Sequence, residues 1–336
     1  MDKTSALNKK EESFIKGLNQ TLPSELASSP LEEESQKEQG SSVALVPNPI
    51  AGVQVRKTFN RRFIDAPNTW NPEEFVRNVE GCFATFRREY LGKLSPTIVV
   101  LLDIILMKFQ TVHDWGATIF VEVKEVSELR KCDYKNTKKQ VKRDIYILKE
   151  TRFKFDKKTI DALPKGLELM KGADISLFDK FLPTRGGYYI SLGLTFQQLF
   201  TGHSCIRRDI ADFAIDQKKH SKAYTIAGLF AQRRQWTRKN EDLSKEDAGN
   251  CLTVKYILEE AGYLTEGSAE NCYTEKIIKR FERDMDAIPN SKWCYLDKNK
   301  NPIGRTPKPK VWREALVRLV RTINLDEYPS SKLTLN

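Results

Sequence analysis

Two short segments constrain the fold more than anything else in this sequence. In Thr137–Lys149, Val141, Ile145 and Leu148 recur at helical spacing as one apolar stripe, and Lys138, Lys139, Lys142 and Arg143 fall off it. In Tyr273–Ile288, Ile277, Phe281, Met285 and Ile288 share one face, with Lys276, Lys279, Arg280 and Arg283 outside it. A helix of this kind packs by its stripe and holds its basic flank in solvent, so each segment must be a surface helix of a folded domain. The two are also alike in letter. TKKQVKR at 137–143 matches TEKIIKR at 274–280, and each follows a shorter helix and precedes an aromatic strand.

The flanking segments are expected as follows. The first block opens with helices over 72–91 and 96–110, started by Asn71-Pro72 and Ser95-Pro96. A strand spans Thr118–Val123, a short helix Val126–Arg130, and Asp133–Asn136 forms a turn before the basic helix. Arg152–Lys158 alternates Phe153 and Phe155 with Arg152 and Lys154, which suits a strand burying rings on one side. Gly186-Gly187 then introduces a returning strand, Tyr188–Leu192. The second block carries helices at 220–239, Leu252–Ala261 (ended by Gly262) and Tyr273–Ile288 (stopped by Pro289-Asn290). A strand begins at Trp293–Leu296, the basic loop Lys298–Lys310 suits a wing, and a last helix is expected over Val311–Ile323. Helix, strand, helix, helix, basic strand, loop, strand is the order of a winged helix. The expected fold class is therefore mainly α with small β (α+β), as two tandem winged-helix domains. The divisions are a disordered tail over 1–57, winged helices over 58–205 and 206–328, and a flexible C-terminus over 329–336. The tail reading rests on a stretch rich in Ser, Glu, Lys, Gln and Pro that offers too little apolar surface to offset the entropy of ordering.

Charge indicates the class of partner. The chain carries +11, yet residues 1–50 hold five lysines against eight acids, so the body carries +14. From Arg130 to Lys158 twelve basic and four acidic residues leave +8 within 29 positions. Such density suits a polyanion: lysines and arginines neutralise phosphates and release counterions, while Asn136 and Arg143 could add base-edge readout. The candidate DNA-contacting residues are Lys135, Asn136, Thr137, Lys138, Lys139, Lys142 and Arg143, with Lys154, Lys157 and Lys158 on the strand that follows. In the second block they are Thr274, Lys276, Lys279, Arg280 and Arg283, with Lys298, Lys300 and Arg305 on the wing. The net-negative tail should be dispensable, so removing residues 1–50 is expected to leave affinity intact.

Other classes are disfavoured. The six cysteines are scattered with no C-x-x-C, and no zinc set forms with only three histidines, so no metal and no cofactor is expected. The stretch Ile98–Phe109, about a dozen residues broken by Asp103 and Lys108, falls short of the roughly 20 a membrane span needs. MDKTSALNKK has no apolar run for a signal peptide, so a cytoplasmic protein is expected. No H-x-H metal pair and no G-x-x-x-x-G-K-[ST] phosphate loop occurs. Asp284 and Asp286 are two apart on a helix and so diverge, and no enzyme activity is expected. Trp70, Trp115, Trp236 and Trp312 read as packing residues, and His113, His203 and His220 as incidental.

The segment HSKAYTIAGLFAQ at 220–232 resembles the joint between the two domains of iteron-binding plasmid replication initiators, where a serine and a tyrosine precede an aliphatic helix. YILEEAGYL at 256–264 and YTEKIIKRFERDMDAI at 273–288 are similar to that family's short helix and recognition helix. In the first block SPTIVVLLDIILMKF, VSELRKCDY, NTKKQVKRDIYIL and YYISLGLTFQQLF follow the family's order of elements, so the likeness spans roughly residues 90–325. One departure is Ala227-Gly228, where the family pattern has a charged residue. The resemblance implies a protein that binds double-stranded DNA at repeated origin sites and initiates plasmid-type replication. It also implies recruitment of host replication proteins and repression of its own gene as a homodimer. The alternatives are a transcriptional regulator or partition-type DNA binder of the same fold without initiator activity, and an interaction scaffold whose winged helices bind protein.

Overall fold

A computed structural model describes residues 43–47, 50–59, 66–67, 71–156, 174–200, 205–239, 250–263, 275–297 and 299–323. At its centre lies α2 (Pro96–Val112), which follows strand β1 (Val43–Pro47), helix α1 (Ile50–Thr58) and the strands β2 (Ala66–Pro67), β3 (Glu74–Val79) and β4 (Cys82–Arg87). Ile98, Val100, Leu101, Leu102, Ile104, Ile105, Leu106 and Phe109 of α2 are all buried, so this helix is covered nearly all round. That follows from a sequence apolar on every side.

From α2 the chain runs through β5 (Ile119–Glu122), α3 (Val123–Leu129) and α4 (Tyr134–Glu150), and later through the hairpin β8 (Phe178–Pro183) and β9 (Gly187–Leu192) and the short helix α5 (Leu194–Phe200). The sheet order is β5-β9-β8, with the returning strand beside the first. The second half repeats this plan. Helix α6 (Ala223–Lys239) leads to β11 (Cys251–Thr253), α7 (Val254–Glu260), α8 (Glu275–Asp286), β12 (Ser291–Leu296) and β14 (Leu316–Arg321). Here the order is β11-β14-β12, again first strand, returning strand, middle strand, with the short β13 (Pro302–Ile303) added outside β12. Both α3 and α7 are seven residues long, begin Val-Lys and follow their strand with no intervening residue. The described residues thus form a mixed α+β fold with four small antiparallel sheets.

Several expected elements differ. The helix expected over 72–91 is the hairpin β3–β4, with Phe75, Arg77 and Val79 buried on β3 and Cys82, Ala84 and Phe86 on β4. That alternation has the period of a strand, and Asn71-Pro72 opens a turn rather than a helix. Glu80 and Gly81 join the strands, both with positive φ (51° and 88°), which a two-residue hairpin turn with right-handed strand twist requires. The expected closing helix over Val311–Ile323 is one turn, α9 (Pro309–Trp312), followed by β14, whose Val317, Leu319 and Arg321 are buried in alternation. The strand β6 (Arg152–Phe155) does not join the β8–β9 hairpin. It pairs with β4 and with β7 (Ile175–Ser176), in the five-stranded sheet β2-β3-β4-β6-β7. Its alternation specifies a strand but not a neighbour.

Residues 43–47 and 50–57, expected within a disordered tail, are strand and helix; residues 1–42 and 48–49 lie outside the described ones. Val43, Ala44 and Val46 are buried as β1 pairs antiparallel with β10 (Cys205–Asp209). From α1, Arg56 binds Asp103 of the first unit, while Lys57 binds Glu80 and Glu260, the latter on α7 of the second (both 2.8 Å). A few well-placed apolar side chains and three ion pairs order a segment whose average composition argues against it.

Arg56 is one end of a buried ladder of charge. Its Nε lies 2.6 Å from Oδ1 of Asp103, and Oδ2 of Asp103 accepts from Tyr224 Oη at 2.7 Å. Arg208 lies against the Tyr224 ring (3.8 Å to the centroid), donates to the Tyr224 carbonyl (2.7 Å), and sits 3.4 Å from Asp103 and 3.7 Å from Asp212. Arg321 takes the other side of Asp212 at 2.8 and 2.9 Å and donates to the Pro289 carbonyl at 2.7 Å. Nearby, Asp209 accepts from Asn290 at 2.8 Å. Gly228 on α6 lies close to this ladder: a Cβ there would lie 3.0 Å from Arg208 Nη1, so a side chain would require the guanidinium to shift by a few tenths of an ångström. Removing one partner strands the others in a low-dielectric interior, so Asp103→Ala should cost about 3–5 kcal/mol in chemical denaturation. A chain beginning at Ser41 should melt above one beginning at Phe59, which lacks β1 and α1. Equal melting temperatures would show that the segment contributes no stability.

Candidate nucleic-acid interface

The site is built on α4 and α8, the third helix of each repeated unit. Asp133 caps α4, its carboxylate accepting from the Asn136 backbone N–H at 2.9 Å, so the helix starts three residues before the expected Thr137. Val141, Asp144, Ile145, Ile147 and Leu148 face inward. Lys135, Asn136, Lys138, Lys139, Lys142 and Arg143 are exposed. On α8, Ile278, Phe281, Asp284 and Met285 are buried, and Lys276, Lys279, Arg280 and Arg283 are exposed. The two strips share a spacing. Lys135, Lys138, Lys139 and Lys142 fall at i, i+3, i+4 and i+7, as do Lys276, Lys279, Arg280 and Arg283. Each strip is a single helix face about 10 Å long.

One expected contact is corrected. Thr137 is 1 % exposed and points into the core with the apolar stripe, because it lies four residues before Val141 on the same face. Lys154 is exposed, but on the five-stranded sheet rather than in the wing. Lys300 and Arg305 are exposed on the loop beyond β12. That loop is held to α8: Glu282 accepts from Thr306 Oγ1 at 2.7 Å and from Tyr295 Oη at 3.1 Å. Lys157, Lys158, Thr274 and Lys298 lie outside the described residues. Two exposed cations that sequence reasoning missed, Lys180 and Arg185, sit on β8 and on the turn between β8 and β9. The Arg185-Gly186-Gly187 string was the available signal, since a glycine pair at a hairpin tip marks the neighbouring cation as outward. β8 itself packs on α4, with Lys149 Nζ 4.9 Å from the Phe181 ring and Tyr146 edge-on to it.

Charge inside the two helices is managed locally. Asp144 is buried, accepts from Thr97 at 2.6 Å and lies 2.6 Å from Arg143; burial raises its carboxyl above the ordinary range, against the pull of Arg143 and Thr97. Asp284 accepts from Tyr263 at 2.5 Å and lies 3.8 Å from His220 Nδ1. Burial likewise raises the Asp284 carboxyl, opposed by Tyr263, Arg280 and His220. His220, read from the sequence as incidental, therefore packs on the second basic helix. Asp286 points outward and accepts from Trp293 Nε1 at 2.8 Å, so the two aspartates diverge. Among the described residues no cluster of three metal-ligating side chains occurs. Trp312 is fully buried and Trp115 stacks between Phe109 and Phe200, while Trp70 and the Trp236 side chain lie outside the described residues.

No protein-family model and no curated protein sequence matches the chain. Among solved structures, the crystal structure of a Pi initiator protein in complex with iteron DNA aligns with a TM-score of 0.45 and 14% identity, over 72% of this chain and 98% of that one.

If the exposed strips contact phosphates, Lys139→Ala with Lys142→Ala should flatten the salt dependence of duplex binding by roughly 0.9 log units per lost contact. Thr137→Val, at a buried position, should leave that slope unchanged. Anisotropy titrations at several salt concentrations separate the two; an equal change in both would refute the assignment of the strip.

Proposed function

We propose that this protein binds double-stranded DNA through two winged-helix units in tandem and, bound at repeated origin sites, initiates plasmid-type replication. The single observation that carries the DNA-binding part is the duplication. Two units with the same strand order each present the basic face of the third helix and carry a strand pair beside it. A third helix with an apolar back and cations at i, i+3, i+4 and i+7 suits the major groove, and a basic loop beside it suits the flanking backbone. The buried ladder between the units favours a fixed separation of the two helices, so that one molecule would engage two consecutive half-sites. The protein acts by binding and not by catalysis. Initiation, recruitment of host replication proteins and repression as a homodimer rest on the resemblance of residues 90–325 to iteron-binding initiators.

Footprinting on a duplex selected from a random pool tests the binding mode. Protection should extend over more than one helical turn, and Arg283→Ala together with Lys276→Ala should erase one end of it. Protection confined to a single turn would refute tandem engagement. For initiation, the gene and its flanking DNA should sustain replication of an otherwise origin-less circle. Repression of its own promoter without such replication would establish the regulator instead.

A further inference from the structure

The last residue of each seven-residue repeat is an arginine, and the two do the same thing. Arg143 Nη2 lies 3.4 Å from Ser95 Oγ and 3.2 Å from Thr97 Oγ1. Arg280 Nη2 donates to Ser221 Oγ at 3.0 Å. Ser95 immediately precedes α2 and Ser221 stands two residues before α6, so each serine belongs to the start of the first helix of its own unit. Ser95 stands at the N-cap position without capping; its hydroxyl contacts Arg143 and Thr97. Each guanidinium is held a second time. Asp144 takes Nε and Nη2 of Arg143 (2.8 and 2.6 Å), and the Tyr263 ring lies 5.9 Å from the Arg280 guanidinium carbon.

We propose that Ser95 and Ser221 are positioning residues that hold Arg143 and Arg280 as two equivalent ligands for backbone phosphates of bound duplex DNA, not as base readers. The proposal rests on the DNA-binding reading and adds to it the chemical group each arginine takes. Reading guanine requires a side chain extended off the helix with a two-hydrogen edge offered to O6 and N7. Here Nη2 is anchored to a different helix, and in Arg143 the Nε–Nη2 edge is already taken by Asp144. Among the described residues nothing takes Nη1 of either arginine, and both side chains remain exposed. A phosphate oxygen accepts from such a remaining edge with little demand on direction. Ser221, having accepted from Arg280, keeps its own proton to donate to the same phosphate. Lysines of the exposed strips are tethered by no such contact; Lys279 alone pairs along its helix, with Glu275.

The test measures affinity of the full chain for two duplexes of equal length, one selected from a random pool and one scrambled, over a range of salt. Arg280→Ala should weaken both duplexes by the same factor and flatten the salt slope by roughly 0.9. Ser221→Ala should produce part of that loss on both, and Ser221→Thr, which keeps the hydroxyl, should restore it. Arg143→Ala should behave as Arg280→Ala does. Because it also uncovers buried Asp144, Arg143→Lys is its companion and should keep the slope. Loss on the selected duplex alone, with an unchanged slope, would make these arginines base readers and overturn the proposal. If the unaltered chain bound neither duplex, the DNA-binding reading would itself fall.

Discussion

The alternation of charge from Arg56 through Asp103, Arg208 and Asp212 to Arg321 is what the rest of the architecture depends on. These residues come from α1, α2, β10, the 3-10 turn after it and β14, and Tyr224 of α6 is bound in among them. With Asp209 the set holds three arginines and three aspartates, so the interior carries no net charge there. Against an apolar core of the same shape such a ladder gains little energy, because six charges have been taken out of water. Its consequence is geometric. Arg208 lies between Asp103 and Asp212 and Arg321 between Asp212 and Asp209, so sliding one unit against the other would break several pairs together.

That joint bears on how the two basic helices are held relative to each other. Each basic helix presents a strip about 10 Å long, so under the proposed DNA binding either alone would offer only a few phosphate contacts. In that proposal two strips at a set separation would act together without the entropy of ordering a flexible linker at each binding event. The contacts at the joint extend into the second basic helix, α8. Ser221 and His220 meet Arg280 and Asp284, and Asn290, just after the same helix, meets Asp209. The first basic helix, α4, is tied by Arg143 and Asp144 to the start of α2, the helix that also supplies Asp103.

Much of this was legible in the sequence. The stripes Val141–Ile145–Leu148 and Phe281–Met285–Ile288 are buried, and their basic flanks are exposed, because a 3.6-residue period is a local property. The hairpin return at Gly187, and the short helix expected over Val126–Arg130 and found at Val123–Leu129, were legible as well, because glycine placement and side-chain spacing are also local. Failures arose where period and neighbour part company. Asn71-Pro72 resembles a helix start, yet the residues after it alternate in and out, and β3 exists because β4 lies beside it. RFKF identified a strand but could not indicate that its partner was β4 rather than β8. Val311–Ile323 scans as a helix in apolar content, yet β11 and β12 flank it and extend it into a strand.

By itself the sequence determined which faces are apolar and which are basic, and that there are two such helices in matching settings. Those are consequences of side-chain spacing along a single element. Only the tertiary structure decided the rest. It paired residues 43–47 with β10 and drew Arg143 and Arg280 to Ser95 and Ser221. It also gathered Arg56, Asp103, Arg208, Asp212 and Arg321 from across the chain. The physical reason is the same in each case. A hydrogen bond or ion pair is decided by which groups meet at about 3 Å, and separations such as the 47 residues from Arg56 to Asp103 or the 109 from Asp212 to Arg321 leave no periodic trace in a sequence.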